Sequence, residues 1–239
     1  MHHMLPSNKN MPYNPWFIRY KKALFISATT IIFFSAAASY FVQPKKTPDL
    51  ASAEKVSDRL ALRAEDHVAG NREAPITIIE YSSVECDSCK KLHTVFKEIL
   101  RAHPAEIAWV FRHSPQTTHP KSFREAEALE CAWEQGGDDT FFHYLDQLFQ
   151  TTRSDNSIDL ALLPHIAGDI GLNTELFATC LEDRRFIKRV NQDLYTGEAL
   201  GVTVKPHLFI LTPRDTISLS GYQSYAAIEA LITGLSQKP

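Results

Sequence analysis

Two cysteines three residues apart stand where a β-branched strand gives way to a lysine-rich helix. No other feature limits the fold of this chain so strongly. The stretch reads "IIEYSSVECDSCKKLH". Residues 76–82 are nearly continuous in apolar character, as in a strand buried on both faces. Leu92, Phe96 and Leu100 then recur at helical spacing, which predicts a helix over 87–102. Its first turn falls beside Cys86, where unpaired backbone N–H groups and the positive end of the helix dipole favour a thiolate. Cys89, one turn on, can close a small disulfide ring with it. Cys86 is then the exposed attacking sulfur and Cys89 the more buried resolving one. Exchange runs through a mixed disulfide between Cys86 and a substrate protein.

Two rival readings of the pair are weaker. Structural zinc needs four ligands and usually a second closely spaced pair. Here Cys131 and Cys180 are 49 residues apart, and only His93 lies near the first pair. A purely structural disulfide at C-x-x-C spacing is unusual. No metal and no cofactor beyond the sulfurs themselves is therefore expected. Four cysteines in 239 residues are too few for a disulfide-dense scaffold, yet enough for one redox pair and one structural pair.

The compartment follows from "ALFISATTIIFFSAAASYFV", residues 23–42, which carries no charge and has 15 apolar residues of 20. About twenty such residues span a bilayer core. Trp16, Phe17 and Tyr20 precede it, and Tyr40 and Phe41 close it, as in interfacial aromatic belts. Arg19, Lys21 and Lys22 mark the N-terminal side as cytoplasmic, although Lys45 and Lys46 weaken the asymmetry. A cleavable signal peptide ending at Ala36-x-Ala38, leaving a soluble product, is the alternative. The anchor is preferred because the apolar run continues to Val42. Either way the remainder is exported, into a compartment where disulfides persist. Residues 67–239 hold 16 Lys/Arg against 23 Asp/Glu, and this acidic balance argues against a nucleic-acid partner.

The expected organisation is a cytoplasmic tail over 1–22, a signal-anchor helix over 23–42, a linker over 43–66 and one domain over 67–239. Within that domain "IAWVF" (107–111) reads as a second buried strand. Helical stripes follow: Phe123 to Trp133, Phe141 to Phe149, Leu162 to Ile170, and segments near 174–183 and 185–198. "HLFIL" (207–211) and "TISL" (216–219) form a hairpin around "TPRD", and Ser224 suits the N-cap of a last helix. The fold class is α/β, with helices inserted between two halves of the sheet at about 118–200.

"GVTVKPHLFIL" sets Pro206 directly before a buried strand. The residues alone allow an ordinary trans proline starting that strand, or a cis bond that turns the backbone toward the cysteines. Taken together, "DHVAGNREAPITIIEYSSVECDSCKKLH", "WVFRHSPQTTHPKSFREAEALECAWEQGG" and "GVTVKPHLFIL" resemble the active-site segment, first inserted helix and proline loop of DsbA-like thiol–disulfide oxidoreductases. The likeness covers most of 66–239. It implies a thioredoxin-like fold with an inserted all-helical subdomain, Cys86 as nucleophile, Cys89 as resolving thiol and Pro206 as a cis-proline.

This chain departs from the family pattern at two positions. Asp87-Ser88 fills the dipeptide where strong oxidases carry proline and histidine, and an aspartate there disfavours the thiolate. Lys205 stands before the proline, where a small or β-branched residue is commoner, and opposes that effect. Cys131 and Cys180 are either two buried thiols or a second, structural disulfide between inserted helices. The disulfide is the expectation. His113 ends the second strand near the active-site side, where the family often has a histidine, and suits a satisfied structural role as well as a functional one. The leading function is disulfide formation in exported proteins with thiols, as a monomer, on the outer side of a bacterial inner membrane, with a membrane partner recycling the pair. A reductase or isomerase, and a non-catalytic thioredoxin-fold module, are the alternatives.

Overall fold

The computed structural model describes residue 56 and residues 58–237. The segment 23–42 expected to cross the membrane, the tail before it and most of the linker lie outside the described residues. No helix among the described residues is long and apolar enough to cross a bilayer.

The sheet has five strands in the order β1-β3-β2-β4-β5. They are β1 (His67–Gly70), β2 (Ile76–Ser82), β3 (Ile107–His113), β4 (His207–Leu211) and β5 (Thr216–Ser220). β2 and β3 are parallel, with Ile76 opposite Ile107 and Ser82 opposite His113. All other pairs are antiparallel. A parallel pair needs a crossover, and here it is α1 (Asp87–Ala102), the helix that follows the cysteine loop.

Both faces of the central strands are covered, which is why their sequences are almost continuously apolar. Ile76, Ile78, Trp109, Phe111, Leu208 and Ile210 share one core with α1 and with α6 (Tyr225–Ser236). Ile79, Tyr81, Val110 and Phe209 face the other side, against Leu60, Val68 and Val202. There α5 (Ile187–Ala199) lies so close that a Cβ on Gly197 would sit 2.8 Å from the Tyr81 ring.

The chain entering the domain is also fixed. Leu60 is buried, and Asp66 makes a buried ion pair with Arg112 at 2.7 Å. Arg63 joins Asp66 to Asp193 of α5, and the two guanidinium groups hold the Asp66 carboxyl down to about 2 against the cost of its burial.

Between β3 and β4 the chain makes α2 (Lys121–Thr151), α3 (Leu162–Asp169), α4 (Thr174–Glu182) and α5. α2 breaks at Gly137, whose φ of 69° is left-handed, and this separates the two apolar stripes read from the sequence. β1 was not legible as a strand. It has four residues, begins with histidine and ends in glycine, too short for a period to show. β3 runs two residues beyond the apolar run because Arg112 and His113 are buried with partners of their own.

Candidate active site

β2 ends at Ser82, and three loop residues deliver Cys86 to the N-cap of α1. Its backbone is extended (φ −145°, ψ 106°), and its sulfur accepts a hydrogen bond from the Cys89 N–H at 3.2 Å. An N-cap acceptor is ordinarily an oxygen. Here a sulfur takes that place, so an orphan donor of the first turn is aimed at the atom that becomes a thiolate on reduction. Cys86 and Cys89 are joined in a disulfide. Cys86 keeps 8% of its surface exposed and Cys89 none, so only the first sulfur can be approached.

The loop before β4 closes over the pair. The Lys205–Pro206 peptide is cis. Ser88 joins the two segments: its hydroxyl lies 3.4 Å from the Cys86 sulfur and donates to the Lys205 carbonyl at 3.3 Å. The cleft beside Cys86, about 450 Å³, is lined by Asp87, Ser88, Gln116, His119, Thr203 and Lys205 among others. Lys205 is half-buried, and burial lowers its ammonium pKa, with Glu198 offsetting part of that. Asp87 is exposed, and its carboxylate pairs with Lys91 one turn along α1 at 2.6 Å. The charge expected to oppose a thiolate therefore has its own counter-ion, which the sequence reading did not include.

The remaining sequence candidates lie apart from the pair. Cys131 of α2 and Cys180 of α4 are buried and bonded to each other. On the α1–α2 interface His93 turns to Asp146, whose other carboxylate oxygen accepts from Lys97. His113 and His67 both direct Nε2 to one oxygen of Glu130 at 2.8 Å, in a fully buried cluster. Those three groups are close enough to hold a metal ion. Each imidazole already directs its Nε2 to Glu130, and Arg189 lies 3.9 Å from the same oxygen, where it would repel a cation.

Several polar groups near the site were not read from the sequence. Glu80 of β2 is fully buried, and the Trp109 indole donates to it at 2.9 Å. Burial pushes its carboxyl up to about 7. A lone charged residue inside "ITIIEYS" was the available signal. Glu85, Gln116, His119 and Glu125 meet only because the fold brings three segments together, so no local pattern marks them.

A sequence model described as thioredoxin matches residues 63–232. The Na(+)/H(+) antiporter NhaA 3 of Salinispora tropica is 31% identical over 187 residues, which cover 77% of this chain and 28% of that protein. The antiporter NhaA of Herminiimonas arsenicoxydans is 33% identical over 166 residues, 69% of this chain and 25% of that one. The chain thus spans about a quarter of the length of these curated relatives. Among solved structures, Pseudomonas aeruginosa DsbA2 aligns with a TM-score of 0.62 at 25% identity, over 73% of this chain and 96% of that one. Wolbachia pipientis alpha-DsbA1 aligns with a TM-score of 0.66 at 24% identity, over 75% and 95%, a likeness of fold.

Proposed function

The chain belongs to the thioredoxin family, and on that premise we propose that it is a thiol–disulfide oxidoreductase whose Cys86–Cys89 pair forms disulfides in exported proteins. The observation that carries this is the asymmetry of the pair. The Cys86 sulfur caps a helix and Cys86 keeps 8% of its surface exposed, while Cys89 beneath it keeps none.

The reaction begins when a substrate thiolate attacks the Cys86 sulfur. The Cys86–Cys89 bond breaks, Cys89 leaves as a thiolate, and a mixed disulfide joins Cys86 to the substrate. A second substrate thiolate then attacks the substrate sulfur of that bond and releases Cys86. The N–H of Cys89 and the helix dipole stabilise the departing thiolate of Cys86. Two electrons pass from substrate to protein, so the substrate gains one disulfide and the protein is left as a dithiol. Thr203 and Lys205 border the cleft, and the loop they belong to offers backbone groups to an extended substrate segment.

In this reading residues 23–42 anchor the domain on the outer side of a bacterial inner membrane, where a membrane-bound partner reoxidises the pair. The uncharged apolar segment and the Cys131–Cys180 bond, of a kind that persists in oxidising compartments, support this placement. Ion transport is not carried over from the antiporters, of which the chain matches about a quarter.

The test is to mix the oxidised full chain with a reduced, unfolded secreted protein and count thiols over time. One disulfide made per molecule is expected. Thiol loss no faster than with Cys86→Ala/Cys89→Ala would overturn the proposal.

A further inference from the structure

Directly behind the cysteine loop lie two buried carboxyl groups that the exchange chemistry does not use. Glu85, the residue before Cys86, is 1% exposed, and Glu125 of α2 is fully buried. Their surroundings differ. The Glu85 side chain accepts from the Asn156 N–H at 2.7 Å and from the Thr152 hydroxyl at 3.3 Å, and His119 Nδ1 lies 3.7 Å away. Neither oxygen of Glu125 meets a donor among the described residues, and the Thr152 hydroxyl beside it has its one proton turned to Glu85. Two adjacent carboxylates in a dry site do not both ionise.

Glu85 is also the hub that seats the loop. Its carbonyl accepts from the Gln116 side chain, and the neighbouring Val84 carbonyl accepts from Ser154 at 3.5 Å. Through Thr152, Ser154 and Asn156 the segment carrying Cys86 is tied to the turn that follows α2.

We propose that Glu85 and Glu125 share a single proton, carried by Glu125, and that its loss drives Glu85 off the 152–156 turn and unseats Cys86, so that disulfide exchange slows at alkaline pH. Glu125 is thus a positioning residue acting through Glu85. Among the described residues, the titratable groups that face it are Glu85 from the cysteine loop and Lys121 and Tyr144 of α2 itself, and His119, ahead of α2, lies 3.7 Å from Glu85. The Lys121 ammonium is held by the Ile158 carbonyl, and the Tyr144 hydroxyl donates to Leu163, so neither supplies a hydrogen bond to Glu125. Burial and then the Glu85 charge push the Glu125 carboxyl up to about 8, with the Lys121 charge opposing. The device rests on the oxidoreductase reading, but the proton itself can be tested without it.

Two measurements on the full chain decide the matter. In the first, the oxidised protein and Glu125→Gln are reduced by excess dithiothreitol across the pH range, each rate divided by the dithiothreitol thiolate present. The corrected rate of the parent, normalised to its value at neutral pH, should fall about threefold or more above the Glu125 titration, while that of Glu125→Gln stays level. Profiles of the same shape would overturn the proposal. In the second, an infrared difference spectrum between parent and Glu125→Gln should show a protonated carboxyl band at neutral pH that is lost at about pH 9. Absence of that band overturns the shared proton whether or not the protein exchanges thiols, and Glu80 cancels because both proteins carry it. Should glutamine fail to fold, Glu125→Met removes the same proton. No reaction with dithiothreitol at any pH would instead count against the oxidoreductase reading.

Discussion

Replacing Cys131 and Cys180 together by alanine is expected to cost the domain about 4 kcal/mol of stability, by the loop-entropy relation. The bond closes a loop of sequence separation 49 between α2 and α4, and both cysteines are 1% exposed in the main core. The same relation gives under about 2 kcal/mol for the active-site pair, whose separation is 3. The long loop therefore carries the structural load, and the short one is free to open and close. For a domain of this size the larger loss should lower the melting temperature by about 10 °C. Denaturant unfolding of the parent, Cys131→Ala/Cys180→Ala and Cys86→Ala/Cys89→Ala separates the two bonds. Thiol exchange by the folded Cys131→Ala/Cys180→Ala protein should remain, since neither sulfur borders the cleft. A cost below about 1 kcal/mol, or an equal cost for both double variants, would refute the reasoning.

Asp87→Asn should move the thiolate titration of Cys86 by less than about 0.5 pH, because the exposed aspartate already pairs with Lys91. Lys205→Thr, which removes a half-buried cation from the cleft, should move it further and upward. Thiolate absorbance against pH in the reduced proteins compares the two, and a larger effect from Asp87 would contradict the geometry. Glu80 holds its proton in the folded state up to about 7 against an ordinary 4.5. Folding therefore binds a proton between those values, and the stability it protects is lost as pH rises through that window. Glu80→Gln should remove up to about 3 kcal/mol of that fall, read as a flatter dependence of unfolding free energy on pH from 5 to 8. An unchanged slope would show that Glu80 is already ionised.

What the sequence made legible follows from the range of the forces involved. β2, α1 and β4 could be read because burial on both faces, or on one stripe, writes a period into neighbouring residues. The N-cap position of Cys86 is likewise local, set by where the strand ends and the helix begins. β1 escaped because four residues with a histidine and a glycine carry no period, and its identity as a strand comes from pairing with β3. The electrostatics of the site escaped in part for a related reason. Asp87 was visible, and its counter-ion Lys91 lay within reach of the i, i+4 spacing on the helix predicted over 87–102. Glu85 and Glu125 are 40 residues apart in sequence, and nothing local to either indicates the other.

The most direct test of the central claim is mixed-disulfide trapping with single-cysteine variants of the pair. Only Cys86 offers an approachable sulfur at the helix N-terminus, while Cys89 is sealed from solvent. Cys89→Ser should therefore accumulate covalent complexes with exported proteins that dissolve on reduction, and Cys86→Ser should accumulate none. Equal trapping by both variants, or trapping through Cys89 alone, would contradict the account.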